Sequence, residues 1–213
     1  MFTVTLAQLM ANHIFVTLQP IAIPTANAFD LGSVLYVNFA VMLYSLNAIP
    51  MTFLCIWMYA RYSVSGVLRF SMTLLLVGTI FRSLCYRTDN FWPVFLGSYL
   101  CSCCNPFFIN VQSIIANKWF GDHERALATA LQIIAMPLGS ASSFAMTGLW
   151  FKDEEMDFKE AFKNLMIVQA AITGVVWCLL NLVLKEKPDV PPSSIAEVPY
   201  EFLDFRQSFK VMG

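Results

Sequence analysis

Six long apolar runs separated by short polar stretches dominate the pattern along the chain. Each run is about 20 residues or longer, the length of a helix that crosses a hydrocarbon core of about 30 Å. None shows the strict apolar–polar alternation of a membrane β-strand. The pattern predicts an all-α polytopic membrane protein with six transmembrane helices. The predicted spans are Phe2–Ile23, Val34–Tyr59, Val67–Cys85, Phe91–Trp119, Ala126–Trp150 and Phe162–Leu184.

The composition changes after Leu184. The next ten residues read Lys-Glu-Lys-Pro-Asp-Val-Pro-Pro-Ser-Ser, a charged and proline-rich sequence that cannot continue a helix. Aromatic and aliphatic residues stand among charges from Glu197 to Met212, which indicates either a short amphipathic helix at the membrane surface or a disordered linker. We therefore divide the chain into a six-helix bundle, residues 1–184, and a cytoplasmic linker, residues 185–213.

The basic residues of the loops predict the orientation of the bundle. An even number of spans puts both termini on one side, and loops rich in Lys and Arg face the cytoplasm. Eight basic residues fall on the side of the termini, namely Arg61, Arg69, Lys118, Arg125, Lys185, Lys187, Arg206 and Lys210. Five fall on the other side, namely Arg82, Arg87, Lys152, Lys159 and Lys163. This difference favours cytoplasmic termini.

Composition and charge agree with an integral membrane protein and disfavour other classes. Hydrophobic residues make up 58% of the chain and charged residues 13%, and the mean hydropathy is +0.63, whereas about a quarter of the residues of a soluble domain are charged. The net charge of −1 and the lack of a basic cluster predict no binding to nucleic acid. The six cysteines lie inside apolar runs, which indicates small buried side chains rather than a disulfide framework.

Polar side chains inside the spans are the candidates for contact with a solute. Such residues are costly in a bilayer and usually face the bundle interior or a water-filled cavity. The alternative for each is a structural hydrogen bond between helices. Asn105 and Gln112 are seven residues apart and so share one face of the fourth span. The full set derived from this pattern is His13, Gln19, Asn105, Gln112 and Gln132.

His13 is the only histidine inside a predicted span. It is a candidate to bind a solute or relay a proton, and the alternative is a hydrogen bond to a neighbouring helix. No intramembrane Asp, Glu or second His accompanies it, and Cys101, Cys103 and Cys104 on one helix cannot converge on a single ion. No metal site and no cofactor are predicted.

Enzyme motifs are also absent from the sequence. It contains no Gly-rich phosphate loop, no Ser/His/Asp arrangement and no pair of intramembrane carboxylates. The predicted class is therefore a transporter and not an enzyme.

The polar elbow after the fourth span carries a resemblance to a known family. Trp119-Phe-Gly-Asp-His-Glu-Arg125, followed by Ala126, Ala128 and Ala130, resembles the connection between helices four and five of major facilitator transporters. The preceding Cys101-Ser-Cys-Cys-Asn-Pro-Phe-Phe-Ile-Asn-Val-Gln-Ser-Ile-Ile-Ala116 is similar to the feline leukaemia virus subgroup C receptor-related family. The resemblance extends over about Asn12–Leu184.

The resemblance implies a facilitator of small solutes, since choline and related amines, haem and pyridoxine are each assigned to members of the family. The fold has two six-helix halves that rock around a midplane site, and this chain corresponds to the N-terminal half. The expected partners are the lipid bilayer, a small-molecule solute, and a second six-helix half or a second copy of the chain. The plasma membrane is favoured over an endolysosomal membrane. The alternative is a truncated membrane protein that does not transport and pairs with another chain as a regulator.

The resemblance also assigns roles to particular residues. Phe15 corresponds to an aromatic on helix one that helps to cage a cationic head group. The family's glutamine on helix five has no counterpart, since the matching region here reads Ala135-Met-Pro-Leu-Gly139. The loop after helix two keeps its basic residues but has Ala60 in place of an Asp. Residues predicted to act in gating are Arg61, Arg69, Asp122, Glu124 and Arg125, with Asp122 also placed to cap the following helix.

Overall fold

The computed structural model describes residues 2–121, 123–152 and 157–184, and within these ranges every regular element is a helix. The linker of residues 185–213, with its predicted amphipathic helix, lies outside them. The helices are α1 (Phe2–Val16), α2 (Ala22–Ala28), α3 (Leu35–Arg61), α4 (Val64–Ser83), α5 (Cys85–Thr88), α6 (Trp92–Trp119), α7 (Arg125–Trp150) and α8 (Phe158–Val183).

Five helices are long and apolar enough to cross a membrane: α3, α4 continued by α5, α6, α7 and α8. Their ends agree with predicted spans two to six to within a few residues. The largest difference is at α8, which begins at Phe158 rather than Phe162. The Asp157 side chain accepts a hydrogen bond of 3.0 Å from the Lys159 backbone N–H, and this N-cap starts the helix earlier.

The first predicted span is not one continuous helix. The chain leaves the helical path after Val16, makes a turn, and forms the seven-residue helix α2 from Ala22. The reason is Pro20, which has no N–H to donate to the carbonyl four residues earlier and whose ring clashes with it. That carbonyl belongs to Val16, and it accepts instead from the Gln19 N–H at 3.0 Å.

Side-chain contacts fix the directions of the helices. His13 meets Ser142 and Thr17 meets Ser143, so α1 and α7 run parallel. Arg69 meets Leu184 while Thr73 meets Trp177, so α4 and α8 run antiparallel. Helix α1 lies inside the bundle, against α7, α6 and α8, and α6 separates it from most of α3 and α4.

Glycines permit two close backbone approaches. A Cβ atom on Gly97 of α6 would lie 2.6 Å from Cγ of Arg82 on α4 and even closer to the Gly78 carbonyl oxygen. A Cβ on Gly139 of α7 would overlap the Leu9 carbonyl oxygen of α1. Helices α4 and α6, and α1 and α7, are therefore in direct backbone contact, as small residues allow in membrane bundles.

An ion-pair junction ties α5 to α8. Asp89 follows α5 in a left-handed conformation, with φ of 53°, and its carboxylate accepts hydrogen bonds from Lys163 and from Lys159, the latter at 2.9 Å. These hydrogen bonds, with that from Lys163 the stronger cause, lower the pKa of Asp89 below its usual value. The junction joins the end of α5 to the first turns of α8, at the end of the bundle that carries α2 and α5.

The α4–α6 contact gives a stability prediction. Gly97→Ala should lower the melting temperature of the detergent-solubilised protein by several degrees, because overpacking at a tight site costs about 1–3 kcal/mol. Differential scanning fluorimetry measures the shift. Gly148→Ala is the matched control, since a Cβ there meets nothing within 4 Å. Equal melting temperatures for the two variants would contradict the close contact at Gly97.

Candidate functional site

Polar side chains cross the interior of the bundle in one layer, which we call the buried polar layer. It is formed by side chains of α1 and the adjoining turn, α3, α4, α7 and α8. Its members are His13, Thr17, Tyr44, Arg82, Ser142, Ser143 and Gln169. All are buried except Ser142, which is half-buried. Because water is excluded, each polar atom here depends on a protein or ligand partner.

Thr17 is the best-satisfied member of the layer. Its hydroxyl donates to the His13 carbonyl at 2.6 Å and accepts from Gln169 Nε2 at 2.8 Å. It also lies 3.0 Å from the Ser143 hydroxyl, which must then be the donor, because a threonine hydroxyl has a single proton. Three helices are thus joined at one atom just beyond the end of α1.

His13 uses only one of its ring nitrogens within the protein. Its Nδ1 lies 2.9 Å from the Ser142 hydroxyl, which is the helix-to-helix hydrogen bond considered as one alternative from the sequence. Its Nε2 is buried and has no partner. The second nitrogen is therefore an unused hydrogen-bonding group inside the bundle.

Arg82 is the main correction to the sequence analysis. The sequence analysis counted it as a loop residue, yet its side chain is 2% exposed. The absence of a side chain at Gly97 lets the aliphatic stem of Arg82 cross α6 and turn inward. Nη1 donates to the Ile14 carbonyl at 3.1 Å, while Nε and Nη2 have no partner. In the described part of the chain, no carboxylate pairs with this guanidinium.

Phe15 lies beside Tyr44 at the edge of the layer. The ring centroids are 4.3 Å apart and the planes are tilted by 44°. The Tyr44 hydroxyl is buried without a hydrogen-bond partner. This pair brings two aromatic faces and a free hydroxyl into one position.

The remaining predicted solute contacts are spread along the bundle. Gln132 precedes Ser142 by ten residues on α7, which places it about 15 Å from His13 along the axis. Asn105 and Gln112 follow Gly97 on α6 by about 12 and 22 Å of helix rise. Gln19 is exposed in the turn after α1. His13 and Phe15 lie two residues apart on α1, whereas Gln132 is about 15 Å away along α7, so no single small solute touches all six residues.

Three of these residues nevertheless have buried amide atoms without a hydrogen-bond partner. Both amide atoms of Gln132, Oδ1 of Asn105 and Nε2 of Gln112 lack partners. Gln8 on α1, which the sequence analysis did not select, also has both amide atoms unpaired at 1% exposure. These residues lie on α1, α6 and α7, and their buried amide atoms have no hydrogen-bond partner within the described part of the chain.

The predicted gating residues have separate contacts. The Arg61 guanidinium carbon lies 5.0 Å from the centroid of the Trp57 ring, and Arg69 donates to the Leu184 carbonyl at 2.8 Å. Arg125 Nε donates to the Phe120 carbonyl at 3.4 Å. Glu124 is the residue at the N-cap position of α7 and makes no side-chain cap. Asp122, predicted to cap this helix, lies outside the described residues.

Of the seven members of the layer, the sequence analysis selected His13 alone. It did not select Thr17, Tyr44, Arg82, Ser142, Ser143 or Gln169. A charge inside an apolar run was a usable signal for Arg82, since intramembrane charges mark functional positions. Its place near the end of the predicted third span gave it the interpretation of a loop residue instead. Tyr44 and Gln169 carried no comparable signal, because their orientation depends on which helices pack together.

Comparison with known proteins identifies the family of this bundle. A family model described as Major Facilitator Superfamily matches residues 3–211. Among curated relatives, choline/ethanolamine transporter flvcr2a of Danio rerio is 29% identical over 74% of this chain and 34% of its own length. Choline/ethanolamine transporter FLVCR2 of Homo sapiens is 27% identical over 75% of this chain and 31% of its own. Solute carrier family 49 member A3 of Xenopus tropicalis is 24% identical over 86% and 39%.

A solved structure has the same fold. It is the crystal structure of a bacterial homolog of the human lysosomal transporter Spinster, inward-facing and unoccupied, with a TM-score of 0.67 and 15% identity. The alignment covers 98% of this chain and 47% of that one. The chain spans about a third of the length of the curated relatives, as 34% and 31% show. These relatives confirm the resemblance inferred from the fourth span and the elbow, and the chain belongs to the Major Facilitator Superfamily.

Proposed function

We propose that this chain takes part in the transport of a small organic solute across a membrane by alternating access. The observation that carries the proposal is the superfamily match over residues 3–211, on a bundle that aligns over 98% of its length with a transporter. The compared relatives are named as transporters or solute carriers, which favours transport over a regulatory role without transport.

The bundle of residues 1–184 acts together with a second six-helix bundle, from another chain, another copy or the same protein. Alternating access in this superfamily is a rocking of two halves around a shared site. Helix α7 offers a surface for the second bundle, since Leu127, Leu131, Ile134 and Leu138 recur along one face and are 49–65% exposed. Residues 185–213 form a linker that follows the bundle.

The solute is an amine of the choline or ethanolamine type. The names of the relatives support this class, and so does the Phe15–Tyr44 ring pair, because ring faces attract alkylated ammonium groups. His13 contributes its open Nε2, and Gln132, Asn105, Gln112 and Gln19 lie along the path to and from this level. Arg61, Arg69, Asp122, Glu124 and Arg125 serve gating at the opposite end from α2.

The protein lies in the plasma membrane with both termini in the cytoplasm. Because Arg82 is buried in the bundle, it is no longer counted as a loop residue. The loops on the side of α2 and α5 then have four basic residues, and the side of the termini has eight. The positive-inside rule is therefore better obeyed than the sequence alone suggested.

The unpaired charge of Arg82 supports a functional role for the buried polar layer. A buried ion without a counter-ion costs several kcal/mol, so a bundle selected for stability alone has no use for it. Intramembrane charges are kept where they contact substrates, ions or gating partners. The positive charge of Arg82 limits how close a cationic solute can approach. It also acts electrostatically on the hydrogen-bonding groups of Tyr44 and His13.

Uptake into proteoliposomes tests the function and the role of Phe15. We expect saturable uptake of radiolabelled choline or ethanolamine, above protein-free vesicles. Phe15→Leu keeps the bulk but removes the ring, so KM should rise about 5- to 30-fold, the equivalent of 1–2 kcal/mol. Phe70→Leu, an exposed aromatic on α4, is the matched control and should leave KM unchanged.

Two results would count against this assignment. If no solute of a panel of choline, ethanolamine, haem and pyridoxine enters vesicles that hold a verified twelve-helix assembly, transport of these classes is excluded. If Phe15→Leu and Phe70→Leu change KM equally, the ring at position 15 is not a contact of the solute.

Arg82→Met tests whether the layer trades stability for function. Replacing a buried charge with an apolar side chain of similar length is neutral or stabilising by about 1–4 kcal/mol, so the melting temperature should hold or rise. Uptake should change, because the group that repels a cationic solute has been removed. Arg87→Met, at an exposed cation of α5 that has no role in the proposed path or gate, should change neither stability nor uptake strongly. A melting temperature that drops for Arg82→Met would instead make Arg82 a structural support of the bundle.

A further inference from the structure

A cavity of about 510 Å³ opens at the end of the bundle that carries α2 and α5. It lies between the α2–α3 turn and the first turns of α3 and α6, apart from the buried polar layer. We call it the aromatic pocket. Its lining consists of Asp30, Leu31, Tyr36, Phe39, Asn90, Phe91, Trp92 and Phe95.

The rings of this pocket are ordered against one another. Phe39 of α3 and Phe95 of α6 stack with centroids 5.9 Å apart and planes 10° from parallel. Trp92 meets the edge of Phe95 at 5.8 Å and 79°. Tyr36 and Phe39 are three residues apart and so share one face of α3. Trp92 and Tyr36 are 64% and 58% exposed, so their faces are open to a ligand.

One carboxylate of the pocket, that of Asp30, has no ion-pair partner among the described residues. Asp30 is held in the left-handed region, with φ of 48°, between α2 and α3. Asp89, which precedes pocket residue Asn90, is by contrast paired with both Lys159 and Lys163. The aromatic pocket therefore joins apolar ring faces to one negative charge.

We propose that the aromatic pocket binds an organic cation with an alkylated ammonium head. Ring faces attract a cation through their quadrupole, and an alkylated ammonium is suited because it gives up little hydration when it enters an apolar site. Asp30 supplies the opposite charge at the rim. The chain already shows this contact nearby, where Lys159 Nζ lies 5.3 Å from the Phe29 ring centroid.

The proposal stands independently of transport, since occupancy of the aromatic pocket requires neither movement of the bundle nor the buried polar layer. A trimethylammonium group reaches a membrane protein from two sources, a free amine such as choline or the head group of phosphatidylcholine. The chemistry recognised in the pocket is the same for both.

Binding is tested on the full chain in nanodiscs made of phosphatidylglycerol, which carries no ammonium group. Choline is titrated by calorimetry, and 3,3-dimethylbutanol serves as its neutral isostere. We expect saturable choline binding and none of the isostere. Asp30→Asn should weaken binding about tenfold, since it removes the charge but keeps the shape. Glu160→Gln, which removes an exposed charge at the same end, is the matched control and should not weaken it.

Tryptophan fluorescence assigns the site. Choline should change the fluorescence emission of the wild-type protein and of the Glu160→Gln variant. In the Trp92→Phe variant this change should be lost. Calorimetry should still detect choline binding to that variant, because the other rings of the pocket remain. Equal affinity in Asp30→Asn and wild type, binding of the isostere, or an unaltered fluorescence response in Trp92→Phe would each overturn the proposal.

A second set of nanodiscs, made of phosphatidylcholine, separates the sources. If the lipid head group occupies the pocket, the apparent affinity of the wild type for choline falls in these discs, and if the pocket takes the free amine it does not change. Either result supports the pocket. Uptake measured in parallel keeps the two proposals distinct, because Asp30-dependent binding can persist in a protein that transports nothing.

Discussion

The backbones of α4 and α6 touch at Gly78 and Gly97, and the interior of the bundle depends on this contact. Because Gly97 has no side chain, the stem of Arg82 crosses α6 and its guanidinium reaches the Ile14 carbonyl of α1. On the other side of α1, Gly139 brings α7 into contact with Leu9, so that Ser142 and Ser143 reach His13 and Thr17. Helix α1 is therefore held from two sides by glycine contacts, and the polar side chains meet where those contacts place them.

The length and polarity of the apolar runs were enough to predict five of the six spans, since an exposed-to-lipid helix has to be apolar over about 20 residues. Pro20 also contained the information for the break in span one, because its effect falls on the carbonyl of Val16 four residues earlier. The burial of Arg82 was not readable in the same way. A basic residue near a helix end either extends to the membrane surface or turns inward, and the choice depends on Gly97, fifteen residues away on another helix. Among the residues selected from the sequence, His13 lies in the buried polar layer and Phe15 at its edge, whereas Gln132 lies about 15 Å away along α7.

The two polar regions of the chain have opposite charge. Asp30 makes the aromatic pocket attractive to a cation, and Arg82 makes the interior repulsive to the same ion. For the proposed amine solute, moving from the aromatic pocket to the Phe15–Tyr44 rings raises the electrostatic energy, because the solute approaches the Arg82 guanidinium. In the proposed transport cycle, groups from a second bundle or a change in the position of α1 lower this barrier.

The burial of α1 has a consequence for how the bundle sits in lipid. Ten of the fifteen residues of α1 are buried, whereas six of the 27 residues of α3 are. The exposed faces of the outer helices therefore meet the hydrocarbon and determine the depth of the protein in the membrane. Helix α1 is solvated by protein instead, and it carries Gln8, Asn12 and His13 at levels where hydrocarbon would expel them. Helix α1 is surrounded by the other helices. The environment of its polar residues is therefore set by how those helices pack and not by the lipid.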